Sequence, residues 1–309
     1  MRTEFDLIND FKKKYSLRSV GDDCAVLPKN AEFDMLITAD MLVEDIDFRL
    51  KWAVPEYLGH KTLAVSLSDI AAMGGKPVWA MLSIAVPESL WQGNFLDRFY
   101  DGWHKLAEKF SVELIGGDIS RSPDRFVIDS IVVGEVKKGN AILRSTAKPG
   151  DLIYVSGSLG GAAGGLDILE NGRSTENESL ILNQLSPEPQ CELALQLAEQ
   201  QIPTAMIDLS DGLSADLAHI CSASGVGARI FADKIPVNKD LADADSSLEF
   251  ALNGGEDLQL LFTTDISNQA ALNIFDVTCI GEITNKAGLI ELIDQIGTKI
   301  LKPKGFRHF

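Results

Sequence analysis

The chain has 309 residues, 45% of them hydrophobic and 24% charged, with a formal net charge of −17. This length predicts about two domains with a core large enough for independent stability. The charge excludes a general nucleic-acid binder or a partner of anionic membranes, either of which needs a basic stripe.

Taken in order, residues 4–15 predict a short helix with Phe5, Leu7, Ile8 and Phe11 on one side. Asp22 and Asp23 form a turn that runs into a strand closed by Pro28, and Asp34–Asp40 is an apolar strand ending in an acid. Val43–Phe48 continues extended with Glu44, Asp45 and Asp47, followed by a helix over Pro55–Met73. Asp69 lies near that helix's C-terminus, where a negative charge opposes the helix dipole; a bound cation or a salt bridge would each explain it. Pro77–Val86 reads as a buried strand and Leu90–Phe110 as one long helix. Val112–Ser122 repeats the pattern of strand, Gly-Gly and acid (Gly117, Asp118), and residues 125–136 alternate as a strand. A shift to Lys, Gly, Ala and Pro over 137–150 places the domain boundary there, giving domains of 1–138 and 147–309.

The second half opens with a strand over Asp151–Ser158 and a glycine-rich stretch, Gly157–Gly165, that suggests close packing of a helix on a strand. Residues 172–188 are polar and read as a surface connection before a helix from Pro189 to Gln201. The apolar run from Ala205 ends in Asp208; Ser210 and Asp211 follow, and Leu213, Leu217, Ile220 and Cys221 recur at helical spacing. Asp211 therefore sits where a helix begins, as an ordinary N-cap or as a metal ligand. A strand over 228–231, a loop, and Gly254-Gly255-Glu256-Asp257 leading into a strand come next. A helix, a strand over Asp276–Gly281 and a C-terminal strand pair complete the chain.

Six acid-bearing turns thus share one trait: Asp22/Asp23, Asp40, Asp69, Asp118, Asp208/Asp211 and Glu256/Asp257 lie at element ends or beside Gly-Gly, away from polar helix faces. For any one alone a cap or turn suffices; six together point to a shared ligand. Oxygen donors without a His/Cys cluster suit Mg²⁺ or Mn²⁺, commonly held between carboxylates and substrate phosphates. Cations able to meet phosphates are few: Lys61, Arg121, Arg144 and Lys148. GxxxxGK[ST], GxSxG and the HRD and DFG sets are absent, which excludes a P-loop, a nucleophile elbow and a protein kinase. The four cysteines, Cys24, Cys191, Cys221 and Cys279, form no CxxC pair, so a reducing, cytoplasmic setting is expected. No signal core opens the chain, and the longest apolar run, Val78–Val86, is too short to span a bilayer.

GDDCAVL, Thr38–Asp40, SLSDIAAMGGKP, LIGGDISRS, AMIDLSDGLSADLAHI and LNGGEDLQLLFT together resemble the thiamine-monophosphate kinase family. That family belongs to the superfamily of aminoimidazole ribonucleotide synthetase and selenophosphate synthetase. The likeness runs from about residue 4 to the terminal HF. It implies an α/β protein with mixed sheets in two domains, the N-terminal one forming a homodimer. It also implies ATP as co-substrate with several Mg²⁺ ions, and direct in-line phosphoryl transfer to thiamine monophosphate, giving thiamine diphosphate. Carried over by position, Asp23, Thr38, Ala39, Asp40, Asp69, Asp118, Asp208 and Asp211 resemble the family's metal positions. Gly117, Asp118, Arg144 and Ser210 match nucleotide contacts; Asp47, Glu256 and Phe306 match the substrate site. Asp211, Asp208 and Asp118 would carry catalysis. The sequence departs from the family at Ala39 (often Thr), Asp47 (often His) and Ile119-Ser120 (often Thr-Thr). Another ATP-using enzyme of the superfamily, or a non-catalytic nucleotide-binding homologue, stays open as an alternative.

Overall fold

A computed structural model describes residues 4–17, 19–172, 177–241 and 244–306; the terminal HF of the family resemblance lies outside them. Within the first half, helix α1 (Glu4–Tyr15) precedes strands β1 (Ala25–Pro28) and β2 (Phe33–Val43) and helix α2 (Pro55–Ala72). Strand β3 (Lys76–Pro87), helices α3 (Glu88–Trp91) and α4 (Phe95–Phe110), and strands β4 (Glu113–Gly116), β5 (Ile119–Ser122) and β6 (Val127–Lys137) follow. The single helix expected over Leu90–Phe110 is two, because the chain turns between them through Gly93 at φ +116°, a conformation costly for any side chain. The strands form one sheet in the order β1-β2-β6-β3-β4, with β5 also paired to β3.

The second half enters through a 3₁₀ turn, Arg144–Thr146, and strand β7 (Leu152–Ser156). Helices α5 (Gly161–Asn171), α6 (Glu178–Leu185) and α7 (Cys191–Glu199) lead to strand β8 (Ala205–Asp208), helix α8 (Leu213–Ser224) and strand β9 (Gly227–Phe231). Helix α9 (Ala244–Asn253) and strands β10 (Leu260–Thr264), β11 (Val277–Thr284), β12 (Ile290–Ile293) and β13 (Thr298–Ile300) complete it. This sheet runs β13-β12-β9-β11-β7-β10-β8 and is mixed: β12 lies parallel to β9, while the other pairings are antiparallel.

Four sequence expectations fail here. Val43–Phe48 does not continue extended: β2 ends at Val43, and the chain turns, with Asp45 at φ +72° and the Ile46 and Asp47 amides donating to the Val43 carbonyl at 3.1 and 3.0 Å. The surface connection over 172–188 contains α6, whose Leu180 is buried. The loop before Phe250 contains α9. The helix after β10 is two 3₁₀ turns, because Asp265 accepts hydrogen bonds from the Ser267 amide and hydroxyl and tightens the first of them.

Strand alternation divides the apolar residues between two cores. Leu260 and Phe262 of β10 and Met206 of β8 join Leu63, Leu67 and Ile70 of α2 in a core shared by both halves. Leu261 of β10 and Ile207 of β8 face the other way, onto Leu217 and Ile220 of α8. The shared core clamps α2 between the two sheets, which is what brings its polar C-terminal turn to the end of β8. No helix among the described residues is long and apolar enough to cross a membrane.

Candidate active site

Four chain segments converge at the C-terminal end of α2. On β2 the alternation turns Thr38 and Asp40 towards α2, while Ala39 faces the opposite, open side of the sheet and offers no side-chain ligand atom. The last turns of α2 supply Ser66, Ser68 and Asp69; β8 ends in Asp208; Asp23 comes from the turn before β1. Asp23, Asp69 and Asp208 each bring a carboxylate oxygen within 4.8 Å of the others.

Hydroxyls and one guanidinium hold these carboxylates. Thr38 Oγ1 donates to Asp69, Ser66 Oγ to Asp40 at 2.7 Å and Ser68 Oγ to Asp208 at 2.6 Å. Arg144 grips Asp23 with both Nε (3.1 Å) and an Nη (2.5 Å). Burial pushes the Asp208 carboxyl up to about 7, with help from Asp23, and Asp40 up to about 6. Asp69 is driven well above the usual range by burial and then by its neighbours Asp40, Asp208 and Asp23. Burial also raises Asp23, against the pull of Arg144. Crowded, acceptor-only oxygens of this kind suit a hard divalent cation, so the donor set fits Mg²⁺.

Asp211 has a different place from the one expected. The N-cap of α8 is Gly212, which has no side chain to offer, and Asp216 in the first turn reaches back to accept from the Asp211 amide at 3.2 Å and the Gly212 amide at 2.9 Å. Asp211 is therefore not the cap. It forms a second group of ligand atoms with Asp216 and His219, all within 4.8 Å of one another. Burial lowers His219 to about 4, with the Arg144 charge adding to it.

A cavity of about 740 Å³ opens from the carboxylates between the two halves. Asp40, Asp69, Asp208 and Ser210 line it, as do Asp47, Glu256 and Phe306 and the aromatic rings of Trp52, Tyr57 and Phe250. Asp47 accepts from the Val43 amide at 2.7 Å. Glu256 adopts φ +68° and pairs with Lys61 at 2.7 Å. Phe306 is fixed by its amide, which donates to the Asp211 carbonyl at 3.4 Å.

Other expected residues lie elsewhere. Gly117 and Asp118 sit exposed between β4 and β5 and do not line the cavity. Of the four cations, only Lys61 lines it: Arg144 is engaged with Asp23, and Arg121 pairs with Glu88 on the exposed edge. The glycine-rich start of α5 serves helix–helix contact in place of the helix–strand packing expected. A Cβ at Gly165 would meet the Leu180 carbonyl oxygen of α6 at 2.0 Å. Asp257 fills the N-terminus of α5, accepting from the Gly160 and Ala162 amides at 2.6 and 2.9 Å. Sequence reasoning missed Ser66, Ser68, Asp216 and Gln184. The two serines stand within SLSD, where an interior polar pair on an otherwise apolar helix was the available signal.

The chain matches the family model for AIR synthase related protein, N-terminal domain, over residues 21–136, and that for its C-terminal domain over 148–293. It is 41% identical to a thiamine-monophosphate kinase of Buchnera aphidicola subsp. Acyrthosiphon pisum, across 99% of each chain. It is 36% identical to that of Bacillus subtilis strain 168, again across 99% of each. Among solved structures, AaThiL complexed with AMPPCP and TMP superimposes with a TM-score of 0.90 at 33% identity, covering 99% of this chain and 97% of that one.

Proposed function

The chain belongs to the thiamine-monophosphate kinase family, and on that premise we propose that it transfers the γ-phosphoryl group of ATP to the phosphate of thiamine monophosphate. The products are ADP and thiamine diphosphate. The observation that carries this reading is the carboxylate set Asp23, Asp69 and Asp208, of which Asp69 and Asp208 line a cavity that also has acidic and aromatic walls, suited to a cationic heteroaromatic acceptor.

Asp23, Asp69 and Asp208, with Asp40 and Thr38 beside them, would hold Mg²⁺, and Asp211 would take part through its separate group with Asp216 and His219. Mg²⁺, when bound, supplies the charge neutralisation that lets two polyanions approach. The chain's own residues then bind and align. Ser210, which lines the cavity with Asp208, would meet the nucleotide's phosphates, and Arg144, now paired with Asp23, would be the cation near them. Glu256, Asp47 and Phe306 line the acceptor's part. A phosphate monoester has its second pKa near about 6, so the acceptor is largely ionised at neutral pH. No general base is needed, and no histidine among the described residues lines the cavity. Catalysis is alignment with preorganised electrostatics.

Gly117 and Asp118 join such a site when a second copy presents them. Met41, Ile115 and Ile119 are 63%, 53% and 52% exposed on the open face and edge of the first sheet, an apolar surface that supports a homodimer through this half. Ile115→Asp should then yield monomers by size-exclusion chromatography with little turnover; active monomers would remove Asp118 from the site. The boundary between the halves falls in this reading between Lys138 and Ala147. A cytoplasmic location agrees with four free cysteines and bacterial biosynthetic relatives.

The direct test incubates the purified protein with ATP, Mg²⁺ and thiamine monophosphate and separates the products. Thiamine diphosphate is expected; its absence while a control kinase is active would overturn the reading.

A further inference from the structure

Lys61 is the only buried lysine among the described residues, its side chain 4% exposed. Lysine is almost never buried without a partner, and burying an ion pair for stability alone brings little, since an apolar pair of equal volume does as well. The position of Lys61 gives it another use. Leu58, Lys61, Val65 and Asp69 form one stripe of α2 along the cavity. At about 1.5 Å of rise per residue, Lys61 lies roughly 12 Å along the helix from Asp69. One end of the stripe thus meets the carboxylate cluster, and the other meets Glu256.

Around Glu256 the contacts are bracketed. Lys61 Nζ reaches Oε1 at 2.7 Å, and Gln184 Nε2 donates to Oε2 at 2.5 Å. Lys61 Nζ also donates to the Gln184 carbonyl at 3.2 Å, so the three residues close a ring. The Glu256 amide is tied to the Ser210 carbonyl at 2.9 Å, which fixes the backbone from which the carboxylate projects. Gln184 is itself held in place, because α6 approaches α5 over Gly165. A carboxylate has about four lone-pair sites; one donor on each oxygen leaves the others to the cavity that Glu256 lines.

We infer that Lys61 and Gln184 are positioning residues for the acceptor substrate. They act through Glu256, holding its carboxylate in one orientation beside the path of the acceptor's cationic ring. The inference rests on the proposed function, in which Glu256 belongs to the acceptor's part of the cavity. Its physical basis is preorganisation: a glutamate free to rotate must be ordered when substrate binds, and the two donors remove that cost beforehand. The bracket acts on the Glu256 side chain, roughly 12 Å along α2 from the carboxylate cluster, so its loss is expected to weigh on the acceptor and not on the nucleotide.

The test measures kcat and both KM values, with thermal melts to verify folding. Lys61→Met should raise KM for thiamine monophosphate about ten- to thirtyfold and leave KM for ATP within about twofold. Gln184→Met, which keeps the ion pair, should raise the same KM by about three- to tenfold and remains informative if Lys61→Met does not fold. Introduced on top of Glu256→Gln, Lys61→Met should lower kcat/KM by less than about twofold more, as expected for residues acting as one unit. Equal rises in both KM values, or losses that multiply in the double variant, would overturn the inference. A wild-type protein with no activity on thiamine monophosphate would overturn the functional reading beneath it, an outcome distinct from an active enzyme indifferent to Lys61.

Discussion

Asp216 and Asp208 are almost equally hidden, 1% and 2% exposed, and each stands beside an element end in the same stretch of chain. Asp216 gives one oxygen to the Asp211 and Gly212 amides and shares a group of ligand atoms with Asp211 and His219, whereas Asp257 at the start of α5 spends both oxygens on the Gly160 and Ala162 amides. Asp208 instead meets Asp23 and Asp69, with a serine hydroxyl as its donor. The Asp257 arrangement is complete within the fold. That of Asp208 leaves like charges together, a configuration that a shared cation relieves. An acid at an element end is therefore uninformative until its partners are known: amides on both oxygens mark a structural role, and neighbouring carboxylates mark a candidate metal site.

Replacing one member of each group should separate the two roles. Asp208→Asn should lower turnover about a hundred- to a thousandfold at saturating Mg²⁺ and leave the melting temperature unchanged or raised, because it removes repulsion and little else. A protein that unfolds more readily but turns over normally would place Asp208 with the caps. Asp257→Ala should do the reverse. By stranding two amides it should cost about 1–3 kcal/mol in urea denaturation and reduce kcat far less than Asp208→Asn does.

Acidity sharpens the contrast further. Asp208 and Asp40 sit near 7 and 6 in the folded protein, above their usual value of 3.8. Between about pH 4 and 7 the folded form holds protons that the unfolded form has released, so stability falls as pH rises through that window. Mg²⁺ competes with those protons. Its addition should raise the melting temperature more at pH 8 than at pH 5.5, and equal shifts in scanning calorimetry would mean that the ion binds elsewhere. The smallest effect is expected from Ala39→Thr, which restores the usual family residue on the open face of the sheet. Steady-state kcat should change by less than about twofold, and a larger change would tie that face to the site.

Much of this was readable beforehand because it rests on local signals. The strands and α2 follow from apolar runs with clear breaks, and the acid-bearing turns stood out against them. What could not be read is which residues meet across the fold. Ser68 looks like an ordinary helical serine until β8 arrives to place Asp208 against it. Asp216 could not be told from a surface acid, because its hold on the Asp211 and Gly212 amides exists only once the chain turns at Gly212. The polarity of 172–188 hid α6, since four apolar residues in eight suffice for a helix once a neighbour covers them. With α6 hidden, Gln184 could not be seen as a partner of Glu256. Asp118 shows the opposite limit: its motif was plain, yet this chain alone does not bring it to the cavity.

The hydrogen bond from Ser68 to Asp208 joins residues 140 apart in sequence, and Arg144 to Asp23 spans 121. Contacts so distant in the chain carry a high loop-closure entropy and form late in folding, after local helices and hairpins. The carboxylate cluster comes into existence only when the two sheets dock on α2. During refolding, helical signal should therefore return before catalytic competence, and any loosening between the halves disperses the ligands while leaving each sheet intact.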